Sequence, residues 1–471
     1  MDYWNVQRKG ANYFNRVPSE EWFVAAKKTG IRFARLAPDK WNCEQRDFLI
    51  GNADSFTEIP RSDLKILKNT LDQAQRNDIK VVITLLSLPG SRWKQNNDGK
   101  RDLRIWQQRD YQNQAASFWK ALAKELQGHP AVVGYNILNE PHPECLFGIH
   151  DYMEVDFRKW YDTIKDSPAD LNVFYREIVS AIREVDPSMP IVIDVGLYAT
   201  PGAISYLTPI DDDNILYSFH MYEPYVYTSD RVIKGKRFSY PGPIPPSECD
   251  PDRPDSRGAT YWDGKALEQF FRPVLLWQKQ FAIPSSRILV GEFGCRRTAV
   301  GADKYLSHLI RIFNDNKWHW AFYAFREDSW DGMDYELGAG QLLHRRYRDA
   351  VENYADLDAL RRDNPIFNIL KKELEKPTSS RTTSPSVRVR RVNTSRVPDP
   401  RPGPLANTRA ERQRDSVLQH TTDSVAERHR NGPSSSVGAT AGPVIDEQCS
   451  SHALGRAYPL KPTGLPHAHS Q

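Results

Sequence analysis

Residues 1–376 alternate between short apolar runs and stretches whose apolar positions recur at helical spacing. The runs Gly10–Phe14, Ile31–Leu36, Lys80–Leu86, Ala131–Leu138, Pro190–Val195, Ile215–His220, Arg287–Glu292 and Trp318–Phe325 predict eight strands. Several, such as VVITLL and AVVGYNIL, are continuously apolar, as in strands covered on both faces. Between them, Pro18–Thr29, Arg61–Asn77, Tyr111–Gln127, Leu171–Val185, Lys265–Phe281 and Asp303–Asn316 predict helices. The first opens with PSEEW and stops before Gly30, a start and a stop signal in the right order. Eight strands separated by helices, joined by right-handed parallel crossovers, predict an α/β protein of the closed (β/α)₈ type. An open doubly wound sheet is the competing arrangement, and the lack of a Gly-rich turn after the first strand speaks against it. Two connections are long, 141–166 after the fourth strand and 221–262 after the sixth. Loops of that length build walls or lids.

The division of the chain follows from composition. All 12 Trp, all 19 Phe and 20 of 21 Tyr precede residue 377. Residues 377–471 hold 13 Lys and Arg against 7 Asp and Glu, which leaves 51 against 53 in the body. The net charge of +4 therefore belongs to an Arg/Ser/Thr/Pro-rich tail, expected to be disordered because it has too little apolar surface to offset its ordering entropy. The expected organisation is a catalytic barrel over 1–376 and a tail over 377–471. The body has no excess of positive charge, so no nucleic-acid partner is expected. No apolar run is long enough to span a bilayer, so no membrane role is expected. Five scattered cysteines form neither a C-x-x-C pair nor a dense disulfide framework. No phosphate loop, serine elbow or dinucleotide fingerprint is present, and no cofactor is expected.

In a barrel of this kind, chemistry sits at the C-terminal strand ends. The fourth strand runs into Leu138-Asn139-Glu140-Pro141 and the seventh into Gly291-Glu292-Phe293-Gly294. Two glutamates 152 positions apart thus face one barrel mouth. A carboxylate is costly to desolvate unless it is paired or used. Two carboxyls about 5 Å apart are what a retaining glycosidase needs, one protonated to release the leaving oxygen and one ionised to attack the anomeric carbon. The plainer alternative is that each is a rim carboxylate in an ion pair.

With these motifs, the segments IRFARLAP, YNILNEPH, YSFHMYEP, LVGEFG and WAFYAFREDSWDGMDYELG make the body, from about Arg8 to about Leu374, resemble glycoside hydrolase family 5. The resemblance implies that Glu140 is the acid/base and Glu292 the nucleophile. It implies that Asn139 binds the sugar 2-hydroxyl and that Arg35 keeps Glu292 ionised. It further implies that His220 contacts the acid/base region and that the Tyr222 hydroxyl touches the nucleophile. Read alone, Arg35, His220 and Tyr222 are better explained as a paired rim residue, a satisfied histidine and a packing aromatic, and it is their place at C-terminal strand ends beside both glutamates that favours the functional reading.

Two departures from the family pattern stand out. Leu86 occupies the position of the usual histidine after the third strand. The usual tryptophan platform after the eighth strand is replaced by Tyr323-Ala324-Phe325, leaving Phe325 or, preferably, Trp330 as the sugar-stacking surface. Trp93, Trp106 and Trp262 are further candidate platforms, while Trp22, Trp119 and Trp277 lie on helical patterns and are assigned to the core. His142, His150 and Asp151 lack metal-ligand spacing, so no metal is expected. Cys145 and Cys295 follow the two catalytic strands and are expected as free thiols.

The expected activity is double-displacement cleavage of β-glycosidic bonds in a glucan or related polysaccharide or oligosaccharide, by a monomer. The alternatives are a mannan-directed glycosidase of the same family, a non-catalytic carbohydrate-binding barrel, which the Leu86 departure motivates, and a metal-dependent hydrolase or isomerase. The resemblance implies an extracellular or periplasmic setting. The N-terminus MDYWNVQRKGANYF has no apolar h-region, so either the protein stays in the cytoplasm or a targeting segment is missing.

Overall fold

The computed structural model describes residues 1–149, 157–229, 237–245, 259–327, 332–340 and 360–376. The expected tail, 377–471, lies outside the described residues, as do His150, Asp151 and Trp330.

Eight parallel strands close a barrel in sequence order: β1 Lys9–Tyr13, β2 Phe33–Leu36, β3 Lys80–Thr84, β4 Val132–Asn136, β5 Ile191–Asp194, β6 Ile215–Met221, β7 Ile288–Phe293 and β8 His319–Phe322. β1 pairs with both β2 and β8, so the sheet has no open edge. Every predicted strand is present, most of them shorter by one to three residues at an end. The helices α1 Glu20–Thr29, α2 Arg61–Arg76, α3 Arg109–Leu126, α4 Phe157–Ile164 and α5 Leu171–Arg183 lie between strands up to β5. They are followed by α6 Gly264–Phe270, α7 Arg272–Phe281, α8 Ala302–Asp315 and α9 Pro365–Leu374. The caps of α1 follow its sequence: Ser19 Oγ accepts from Trp22 N at 3.3 Å, and Gly30 closes the helix at φ 91°.

Three features depart from the expected pattern. The single helix expected over Lys265–Phe281 is two, broken at Phe271, because Pro273 has no N–H to continue the ladder. The 141–166 connection contains α4, and 221–262 contains a two-stranded hairpin of Gly242–Ile244 with Thr260–Trp262. Between β5 and β6 the chain has a short left-handed turn and the 3₁₀ helix Pro201–Tyr206 in place of a long helix. Trp22, Trp119 and Trp277 are buried in the main core, as assigned.

Inside the barrel the layers differ in chemistry. The lower layer is apolar, with Phe33, Val82, Val192, Leu216, Leu289 and Ala321 packed around Trp4. Trp4 plugs the floor: it is fully buried, donates from Nε1 to Val133 O at 2.9 Å, and meets Phe33 and His319 edge-on at 5.2 and 4.9 Å. Above it the interior turns polar, with Asn12, Arg35, Thr84, Asn136, Asp194 and Ser218 all fully buried. The floor thus closes one end to water and leaves the polar layer facing the C-terminal mouth. Trp4→Ala is expected to cost about 3–5 kcal/mol of folding stability, as large core truncations do. Urea unfolding measures it, and a loss below about 1 kcal/mol would show that the plug is dispensable.

Candidate active site

Arg35 is the hub of the polar layer. β2 delivers it into the barrel, where its side chain is 0% exposed. Its Nη1 donates to Asn12 Oδ1 at 2.8 Å, Gly291 O at 2.9 Å and Glu292 Oε1 at 3.0 Å. Its Nη2 donates to Asn136 Oδ1 at 2.7 Å and Asn139 Oδ1 at 3.0 Å. Asp194 lies 3.8 Å from the same nitrogen. A buried cation is tolerated only with such compensation.

Glu292 occupies the end of β7 and is held from both sides. Arg35 binds Oε1, and the Tyr222 hydroxyl donates to Oε2 at 2.8 Å. Gly291 is required beside it, since a Cβ there would stand 2.6 Å from Ser218 Oγ and 2.9 Å from His220 Nε2. Glu140 lies just past β4, with left-handed backbone at φ 51° and its N–H donating to Asp194 Oδ2 at 3.2 Å. A non-glycine residue in that conformation must be held by its surroundings. One Glu140 oxygen lies 2.9 Å from His220 Nδ1, and His220 Nδ1 is 3.8 Å from Glu292 Oε1. A carboxylate oxygen of each glutamate and a His220 nitrogen all fall within 4.8 Å of one another.

The two carboxyls sit in different fields. Burial pushes the Glu140 carboxyl well above the usual range, and the charges of Glu292 and Asp194 add to it. Burial also raises Glu292, but Arg35 and the Tyr222 hydroxyl oppose the shift by stabilising its charged form. Glu140 is therefore the member that keeps its proton to higher pH. Burial, then Arg35, holds His220 well below the normal histidine range, so it is neutral. Its Nε2 is 3.4 Å from Asp194 Oδ2, too poorly aligned for a hydrogen bond. The trio Glu140, His220 and Glu292 offers three donor atoms to a cation, but Arg35 already places a positive charge 3.0 Å from Glu292, which disfavours a metal there.

Of the residues singled out in the sequence, Arg35, Asn139, Glu140, His220, Tyr222 and Glu292 meet in this one cluster. Phe325 does not serve as an exposed platform. It is 1% exposed and turned into the wall, with its ring 5.7 Å from Trp22 and its carbonyl accepting from Trp22 Nε1 at 3.0 Å. A second tyrosine near the carboxyls is Tyr323, whose hydroxyl feels burial, then Glu327 and Glu292, and whose ring lies 5.6 Å from Phe14. Asp194 and Tyr323 escaped the sequence reading. An acid inside IVIDV and an aromatic at the end of an apolar strand were the available signals. Leu86 is buried and lines a cleft together with Trp93, Asn139 and Glu140. Trp106 is on the same wall, packed on Phe174 at 5.0 Å. Trp262 packs instead against Phe270 in the hairpin region. Cys145 and Cys295 are free thiols.

The far wall of the cleft depends on unusual backbone. Leu197, Tyr198 and Ala199 are all left-handed, at φ 50°, 55° and 61°. Tyr198 N donates to Pro141 O at 3.2 Å, and the ring stacks on His142 at 4.4 Å. His142 in turn contacts Glu140 O through Nδ1 at 2.8 Å. Below this turn Glu144 is buried against Gly196, its Oε2 meets no partner among the described residues, and burial pushes its carboxyl up to about 7.

These geometries define a β/α barrel with a paired-carboxyl site at its C-terminal mouth. The family profile described as Cellulase (glycosyl hydrolase family 5) matches residues 4–329, and the chain belongs to that family. Endoglucanase C of Acetivibrio thermocellus is 25% identical over 184 residues, 39% of this chain and 46% of that protein. Beta-xylosidase of Phanerodontia chrysosporium is 23% identical over 338 residues, 66% of this chain and 60% of that protein. The chain thus spans about half the length of the curated relatives it matches. Among solved structures, Thermotoga maritima Cel5A with cellobiose superposes with a TM-score of 0.51 at 18% identity, covering 78% of this chain and 99% of that one, which supports the barrel fold. Among the described residues, no helix is long and apolar enough to cross a membrane.

Two outcomes are expected from these fields. In Glu292→Gln the Glu140 carboxyl should titrate at lower pH than in the wild type, because one of the charges raising it is gone. Carbon-13 NMR of the glutamate carboxyls reads this, and an unchanged or higher value would contradict the coupling. For Glu144, a raised folded-state value means that the folded protein holds its proton between the ordinary glutamate range and about pH 7 while the unfolded chain releases it. Stability should therefore fall as pH rises through that window and level off above it, by about 3 kcal/mol at most. Glu144→Gln should gain Tm over wild type more at pH 8.5 than at pH 5, and an equal difference at both would refute the assignment.

Proposed function

We propose that the protein is a retaining O-glycosyl hydrolase that cleaves β-glycosidic bonds in a glucan or related polysaccharide or oligosaccharide. The observation that carries this reading is the pair Glu140 and Glu292, with oxygens within 4.8 Å of one another in unequal environments. That spacing suits direct attack by one carboxylate and leaves too little room for the water an inverting enzyme places between its carboxyls.

In the first step Glu140, which retains its proton, donates it to the glycosidic oxygen as the bond to the anomeric carbon breaks. Glu292, whose charged form Arg35 and Tyr222 stabilise, attacks that carbon in its ionised form and forms a glycosyl ester. Glu140, now ionised, takes a proton from water, which attacks the same carbon and frees Glu292. Neutral His220 beside Glu140 adds no positive charge that would drain the proton early. Asn139 has its Oδ1 engaged by Arg35, which leaves its NH₂ as the group to donate to the sugar 2-hydroxyl. Tyr323 and Trp93 offer aromatic faces to the C–H faces of sugar rings. The glucan reading draws on the relatives' names, an endoglucanase and a probable glucan 1,3-beta-glucosidase A of Emericella nidulans among them.

Glu140→Gln and Glu292→Gln should each lower kcat by at least about 10²- to 10⁴-fold. Azide should restore turnover to Glu292→Ala with inversion at the anomeric carbon. Rates on cellulose, mannan, xyloglucan, β-1,3-glucan and aryl β-glycosides are the measurement, and full activity in either Gln variant would end the proposal.

A further inference from the structure

Asp194 stands at the C-terminal end of β5, fully buried, and the double displacement makes no direct use of it. Its Oδ2 accepts from Glu140 N at 3.2 Å, and its Oδ1 accepts from Asn136 Nδ2 at 3.3 Å. Asn136 in turn presents Oδ1 to Arg35 Nη2 at 2.7 Å, and Arg35 Nη1 holds Glu292 Oε1 at 3.0 Å. A buried polar chain therefore runs from the Glu292 carboxyl through Arg35, Asn136 and Asp194 to the backbone of Glu140. A second bond reaches the same segment from beyond the same strand. Tyr198 N, four residues past Asp194, donates to Pro141 O at 3.2 Å. The end of β5 and the turn after it thus hold Glu140 and Pro141 at two points, one where the segment donates and one where it accepts. Glu140 is left-handed at φ 51°, a conformation that a non-glycine residue keeps only under such restraint.

Few charges face this spot among the described residues. Arg35 comes from β2, Glu292 from β7, and Asp194 is the third. His220 from β6 has Nε2 3.4 Å from Asp194 Oδ2 and is kept neutral by burial, then by Arg35. Burial likewise holds the hydroxyls of Tyr175 from α5, Tyr222 after β6 and Tyr323 after β8 in their neutral form. It pushes His142 down to about 4. Burial raises the Asp194 carboxyl itself, and Arg35 with the hydrogen bonds from Glu140 N and Asn136 opposes that.

Resting on the glycosidase reading above, we propose that Asp194 is a positioning residue for the acid/base: its carboxylate fixes the Glu140 backbone in the left-handed conformation from which the side chain meets the glycosidic oxygen, and its negative charge acts on the Glu140 carboxyl. The hold decides where the proton is delivered, and the charge decides up to what pH the proton is there to deliver.

Two substitutions separate hold from charge. Asp194→Asn keeps an oxygen for the Glu140 N–H and loses the charge, whereas Asp194→Ala loses both. In Asp194→Asn the basic limb of kcat/KM against pH should move to lower pH, because one of the two negative charges that favour protonated Glu140 is gone. In Asp194→Ala, kcat/KM for 4-methoxyphenyl β-cellobioside, whose leaving group needs a proton, should also fall about ten- to a hundredfold. For 2,4-dinitrophenyl β-cellobioside, whose phenolate leaves unaided, the fall should stay below about threefold. A residue that merely balances Arg35 would lower Tm and slow both substrates alike without moving the limb. Carbon-13 NMR of wild-type protein labelled at its aspartate and glutamate carboxyls depends on neither variant folding, and there Asp194 should ionise at lower pH than Glu140. An unmoved limb in Asp194→Asn, equal losses on the two substrates in Asp194→Ala, or ionisation of Asp194 after Glu140 overturns the proposal. If the wild type turns over no glycoside, the glycosidase reading fails instead, and a lower Glu140 titration in Asp194→Asn by NMR still upholds the action of Asp194 on that carboxyl.

Discussion

A guanidinium sealed inside the barrel dictates much of what surrounds it. Arg35 has no access to solvent, so its charge must be answered by protein groups on every side it can reach. Its two terminal nitrogens gather acceptors from β1, β4, β7 and the loop after β4. The groups so gathered are Asn12, Asn136, Asn139, Gly291 and Glu292. Removing the cation would leave buried acceptors facing one another, with the carboxylates of Glu292 and, 3.8 Å from Nη2, Asp194 left without their cation.

The same charge separates the behaviour of two chemically identical side chains. Glu292 touches Arg35 and Tyr222. Glu140 touches neutral His220 and feels the negative charges of Glu292 and Asp194. Both are desolvated, so the difference between them comes from neighbours and not from burial. Such opposed tuning of a carboxyl pair lets one fold supply an acid and a base at the same pH.

Around this pair the walls are made by loops, and they show where this chain has its own character within glycosyl hydrolase family 5. Leu86 makes one wall apolar. Tyr323, just after β8, is buried and feels the charges of Glu327 and Glu292. Arg92, locked by Asp47, Asn52 and Asp54, stiffens the loop after β3 that carries Lys94 and Arg101. Three consecutive left-handed residues after β5 bring Tyr198 onto His142. Differences of this kind alter what enters the cleft while the carboxyl pair stays the same, as expected when function is carried by loops on a shared scaffold.

The barrel was legible from the chain because strands buried on both faces must be apolar throughout, and each helix between them carries its own period and caps. Glu140 and Glu292 were legible for a related reason. A carboxylate directly after a buried strand has no cheap place to go, and barrel topology sends both to one mouth. The break at Phe271 was written in Pro273, but it was masked by an apolar pattern that runs across both helices. What linear order does not carry is which distant groups share a field. The hydrogen bond from Glu140 N to Asp194 and the inward turn of Phe325 onto Trp22 both depend on contacts between residues far apart in the chain. Periodicity states which face of an element is buried. Only closure of the barrel decides what each buried face meets, because desolvation and Coulomb energies depend on distances that the closed sheet sets.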